Sequence, residues 1–187
     1  METNWELNLP NWTRANSKSL EFIHSKASES FQYTIEVAEK LSSRAFTLIS
    51  IIIPVVALIL GLISGDVLVN NEEIPKVIKV AASLFCIPAV LSLGILIWMI
   101  FPKKFMHPGR EPKLVAIPDH IQGDNYSADE QYISLLIGEI EDLQRKISYN
   151  ECNNNRRIWA LKWVLIITSV SVLVAMVMIL YKSFITA

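Results

Sequence analysis

The chain has 187 residues, 52% of them hydrophobic, with 17 basic and 18 acidic side chains and a formal net charge of −1. A near-neutral balance excludes a globally basic nucleic-acid binder. The mean hydropathy of +0.37 sits in apolar blocks rather than scattered residues, which excludes an ordinary water-soluble domain. Cys86 and Cys152 fall in different segments and imply no disulfide framework.

Residues 1–18 are polar, contain Pro10, and are expected to form a loosely ordered arm. From Ser19, the residues Leu20, Ile23, Ala27, Phe31, Ile35, Ala38 and Ala45 recur at helical spacing with no Pro or Gly between them. Residues 19–44 therefore read as a helix that continues into a charge-free window, 45–64, the first transmembrane candidate. A helix rises about 1.5 Å per residue and the hydrocarbon core is about 30 Å thick, so such a window suffices to cross it. The long polar lead sets it apart from the short apolar core of a signal peptide. One helix is predicted from Ser19 to Ile63, with Gly65 as its left-handed C-cap. Pro54 removes the donor for the Ser50 carbonyl, which reads either as a hinge or as a static kink packed by neighbours. Ala57 and Gly61 form a small-xxx-small pair of the kind that lets helices approach closely.

Residues 65–79 form the outer connection, and Pro75 suits the first turn of the next helix. The second charge-free window, 80–101, carries Ser83 and Ser92, together with a second hinge candidate, Pro88, which frees the Leu84 carbonyl. Residues 102–126, with Pro102, Pro108, Pro112 and Pro118, form a loop too rich in proline for a helix. Lys103 and Lys104 are expected at lipid phosphates. The stretch Phe105–Pro112 after them is either a return loop or a seat for a ligand or partner.

A new helix is predicted to start at Ser127, where Ser127 and Glu130 have capping-box spacing and Asp129 adds charge favoured at a helix N-terminus. Ile133, Leu136, Ile140, Leu143 and Ile147 then form a heptad seam over residues 127–157. The register continues through Asn150, Asn154, Arg157 and Leu161 into the third window, 158–181, at Val164, Thr168, Ser171, Ala175 and Met178. A single helix from Ser127 to Lys182, before the tail 182–187, is the economical reading. Asn150 and Asn154 either fix the register of a coiled coil or fray the helix. The seam could be covered by the Leu20–Ala38 face, but burial between subunits is the expectation, giving a homo-oligomer in the lipid bilayer.

Basic residues concentrate before the first window (Arg14, Lys18, Lys26, Lys40, Arg44) and between the second and third, whereas the other connection has only Lys76 and Lys79 and the tail only Lys182. Positive charge stays on the cytoplasmic side, so the N-terminus and the long loop are expected inside and the C-terminus outside. The fold expected is all-α, an integral membrane protein with three transmembrane helices and two long helices extended into the cytoplasm.

His24, His107 and His120 are the only histidines and lack partners at ligand spacing. No catalytic, cofactor or metal constellation is visible, so an enzyme is not expected. Proton relays and ion-coupled carriers need ionisable groups at mid-depth, and the windows hold none. That leaves packing, scaffolding, or a pore lined by Ser50, Ser83, Ser92, Thr168 or Ser171, with Ala175 on the same face as the last two. The third window is the preferred lining.

The stretch Phe105–Pro112, the capped helix after it, and the run Tyr149–Asn155 followed by Arg156 and Arg157 resemble small bacterial inner-membrane effectors of antiphage defence systems, those partnered with nucleotide-signal synthases or retrons. The resemblance implies a protein silent until infection that then opens a pore or damages the membrane. It implies a trigger, a nucleotide signal or a cytoplasmic protein, and carries over no catalytic residue. The alternative is a non-conducting adaptor whose cytoplasmic helices recruit a soluble partner.

Overall fold

A computed structural model of the protein describes residues 7, 9–69, 76–101, 106, 109 and 126–185. It is all-α: a short 3-10 turn, Trp12–Arg14, then α1 (Ser17–Val69), α2 (Lys76–Ile100) and α3 (Ala128–Ile185). No strand occurs among the described residues. Each helix carries a stretch long and apolar enough to cross a membrane, with mean hydropathies of 2.3, 2.5 and 2.7, the pattern of a membrane protein. Only 17%, 28% and 11% of these stretches are buried within the chain. Their outward faces present Ile51, Leu58, Ile87, Leu91, Leu173 and Val177, an apolar surface that suits lipid rather than water.

Both long helices start on side-chain caps. The Asn16 side chain accepts the Lys18 N–H at 3.0 Å, and its carbonyl accepts the Leu20 N–H at 3.1 Å. At α3 the capping box is complete: Ser127 N–H donates to Glu130 Oε2 at 2.8 Å, and Glu130 N–H donates to Ser127 Oγ at 3.3 Å. The bonds from the Ser127 backbone and side chain hold the Glu130 carboxyl below its ordinary 4.5. A depressed folded pKa stabilises above the unfolded value and loses that contribution as pH falls through the lower folded value. Glu130→Gln is therefore expected to flatten the fall of helix stability with acidification below pH 4.5, measured by circular dichroism melts. An unchanged pH slope would show the box to be energetically silent.

Three expectations need correction. The helix does not stop at Gly65: α1 runs on to Val69. Glycine permits a left-handed cap without compelling one, and its cost inside a helix, about 1 kcal/mol, is small beside continued backbone bonding. Nor is the arm before α1 loosely ordered at Leu7, Trp12 and Ala15. Leu7, Trp12 and Ala15 pack on the cluster Leu20, Ile133, Leu136 and Ile140. The Leu7 N–H donates to Glu141 Oε1 at 2.9 Å, and the Trp12 ring lies 5.5 Å from that of Tyr126. Ile23, expected inward, is exposed, and His24 takes the half-buried place.

Pro75, Lys103, Lys104, Phe105, His107, Pro108, Arg110, Glu111, Pro112 and His120 lie outside the described residues, and with them most of the expected loop.

The chain divides into two compact units, Met1–Ala38 with Lys103–Asn154, and Glu39–Pro102 with Asn155–Ala187. The first is built on two apolar clusters: the one beneath the arm, and a second of Phe31, Leu143 and Ile147 flanked by Ala27 and Ile35. Each fully buried Leu, Ile or Phe contributes about 1.5–3 kcal/mol. The second unit buries Ala45, Ala81, Ala89, Ser92, Leu96, Met99 and Val164. Ala45, Ala81, Ala89 and Ser92 are small, and small side chains let helices approach where lipid offers no hydrophobic drive.

Candidate functional site

The heptad seam is buried, but within one chain. Ile133, Leu136 and Ile140 meet Leu20, while Leu143 and Ile147 meet Phe31. The stripe expected to join subunits is thus covered by α1 of the same molecule. The physical reason is chain economy: residues 20–38 offer a matching apolar face that needs no second copy.

In the first unit the seam turns polar without fraying. Asn150 is 0% exposed; its Nδ2 donates to Thr34 Oγ1 at 3.2 Å, and its Oδ1 accepts the Met106 N–H at 3.3 Å. Asn154 Nδ2 donates to the Thr34 carbonyl at 2.8 Å, and Thr34 Oγ1 donates to the Phe31 carbonyl at 2.7 Å. The asparagines therefore set the register of α3 against α1 inside the chain rather than between subunits. Buried polar groups of this kind admit few alternative pairings, which makes the alignment specific.

Beside them lies a buried ion pair. Asp142 Oδ2 is 2.6 Å from Lys146 Nζ, and Asp142 also pairs with the exposed Arg145. Lys146 Nζ donates to the Gly109 carbonyl at 2.8 Å. Gly109 has a φ of 80°, a left-handed conformation that favours glycine. Lys146 and Asn150, one turn apart on α3, thus each hold one described residue of the connection between α2 and α3.

In the second unit, Arg157 is buried at 3% exposure. Its Nε donates to the Met99 carbonyl at 3.1 Å, and its Nη2 donates to the same carbonyl and to Ser42 Oγ at 3.2 Å. Nearby at the same end of the span, Trp159 is exposed and carries the Lys162 ammonium 5.3 Å from its ring centroid.

The hydroxyls expected to line a pore mostly bond to their own helices. Ser50 donates to the Phe46 carbonyl, Ser83 to Lys79, Thr168 to Val164 and Ser171 to Thr168, at 2.7–2.9 Å. Ser92 is fully buried, its Oγ without a hydrogen-bond partner. Ser50 and Ser83 face outward, Ser171 is buried and Ala175 half-buried, so one chain does not bring the six onto one surface. Pro54 and Pro88 sit inside continuous helices. Cys86 and Cys152 are both free. Among the described residues no group of three metal-ligating side chains occurs.

The spacing alone did not single out Thr34, Asp142, Lys146 or the clamp made by Arg157. Thr34 had a usable signal, three residues after Phe31 on the apolar face of α1. Asp142 and Lys146 stand four apart beside seam residues, a spacing equally common on solvated faces.

Comparison with known protein families, characterised proteins and solved structures finds no match.

Proposed function

We propose that the protein is an oligomeric inner-membrane effector that forms or gates a pore or otherwise breaches the membrane, in the manner of antiphage defence effectors. Its N-terminus and long loop are cytoplasmic and its C-terminus is outside. One observation carries this reading: α1 and α3 each begin in a unit with a water-type apolar core and continue unbroken into an apolar span. A signal received by the first unit, from a nucleotide or a protein, then has a direct mechanical route to the bilayer. Packed interfaces favour discrete arrangements, so a small displacement can switch rather than grade the response. With the seam occupied internally, copies meet through the outward apolar faces of the spans. Helices associate there by close packing.

The non-conducting adaptor remains the second reading, favoured by the hydroxyls that bond to their own helices. Planar-bilayer recording separates the two. In a Cys86→Ser, Cys152→Ser background, cysteines at Thr168, Ser171 and Ala175 are expected to react with a water-soluble thiol reagent and block current, the one at Ser171 only in the conducting state because that position is buried. Current without labelling rules out a lining from α3. Absence of current under all conditions favours the adaptor. A reporter active only outside, fused after Ala187, should work, and one at Asn125 should not; the reverse overturns the orientation.

A further inference from the structure

Arg157 does more than anchor the chain at the membrane surface. Its neighbour Arg156 is exposed and suffices for head-group contact, whereas Arg157 turns inward. A guanidinium at the end of an apolar span is costly to bury and needs a specific partner. Its partner is a particular atom. Phe101 N–H still bonds to the Ile97 carbonyl at 3.1 Å, and Pro102 then follows with no N–H to continue the ladder. Pro102 breaks the ladder at the Trp98 carbonyl, and the Met99 carbonyl, among the last four of α2, has no N–H partner within Lys76–Ile100. It also lies at the negative end of the α2 dipole, where a cation is favoured. Arg157 supplies that cation and two donors, while Ser42 of α1 receives a third bond. One side chain of α3 thus joins all three helices at a single level.

We propose that Arg157 is a latch that keeps the end of α2 against α1 and α3, and that the silent state of the protein depends on it. The bond is directional and all-or-none. When it breaks, the Met99 carbonyl loses both guanidinium bonds and must be met by water or move outward. Either outcome loosens the bundle at one face of the membrane. The consequence for permeability rests on the effector reading; the latch itself does not. Lysine is an incomplete substitute, since a single ammonium lacks the planar fork that engages two acceptors together.

Two readouts on the full-length protein test this. Spin labels replacing the exposed residues Ile97 and Trp159, on a Cys86→Ser, Cys152→Ser background, report the separation of α2 from α3. Release of a trapped dye from vesicles reports permeability. Arg157→Gln is expected to lengthen and broaden the label distance and to raise basal leakage at least tenfold. Arg157→Lys should lie between it and the wild type, and Ser42→Ala, which removes one contact, should shift both readouts slightly in the same direction. An unchanged distance in Arg157→Gln overturns the latch, whether or not dye escapes. A lengthened distance without leakage upholds the latch and counts against the effector reading instead. If Arg157→Gln does not fold, Arg157→Lys and Ser42→Ala decide alone: wild-type distances in both overturn the proposal.

Discussion

Asp142→Ala is expected to cost the first unit about 3–5 kcal/mol, the usual penalty for leaving a buried charge without its partner. The carboxylate is 4% exposed and lies 2.6 Å from the Lys146 ammonium, itself nearly covered. Removing it leaves that ammonium buried with the Gly109 carbonyl at 2.8 Å. Arg145, 69% exposed, simply returns to water, and its pairing adds no more than about 1 kcal/mol. Lys146→Met should cost less, because Asp142 keeps Arg145. The double change Asp142→Leu with Lys146→Met should come close to neutral, since a buried pair replaced by packed apolar groups often loses nothing. Amide hydrogen exchange across residues 130–150 measures the local opening. A double variant as damaged as Asp142→Ala alone would show that the loss is one of packing and not of charge.

Ile140→Asp should be the most disruptive single change in the seam. Ile140 is 2% exposed and sits among Leu20, Ile133 and Leu136. Truncation to alanine is expected to cost about 2–5 kcal/mol by lost burial and the cavity left behind. Aspartate adds the burial of a carboxyl with no donor nearby, which exceeds that range unless the group takes up a proton. Ile140→Leu, nearly volume-conserving, should cost under about 1.5 kcal/mol. The seam is closed within one chain, so the loss should appear as local unfolding of α1 and α3 at any protein concentration. Leu136→Asp and Leu143→Asp should behave alike. A stability that depends on concentration, with helicity kept in a smaller particle, would return the seam to an interface between subunits.

Much of the architecture was legible in one dimension. Three long runs with no charge at mid-depth specify three apolar helices, because only a helix satisfies its backbone over such a length in lipid. The cap at Ser127 was readable as well, since a capping box needs only two residues three apart, both inside the same turn. The seam from Ile133 to Val164 followed from periodicity and is buried residue by residue.

What covers that seam was decided only by the tertiary structure. Periodicity identifies an apolar stripe without naming its partner, and the faces of α1 and of a second copy are equivalent to a pattern. The polar contacts have the same origin. Thr34 is 116 residues from Asn150, Met99 is 58 from Arg157, and Gly109 is 37 from Lys146. No local spacing links such pairs. Their bonds exist because folding brings particular donors to particular unpaired carbonyls and hydroxyls, and an unmet polar group in an apolar interior is costly enough to select that arrangement. The sequence by itself determined that three helices form and which faces are apolar; the packing of those helices decided that the seam closes internally and that a buried arginine ties the end of α2 to its neighbours.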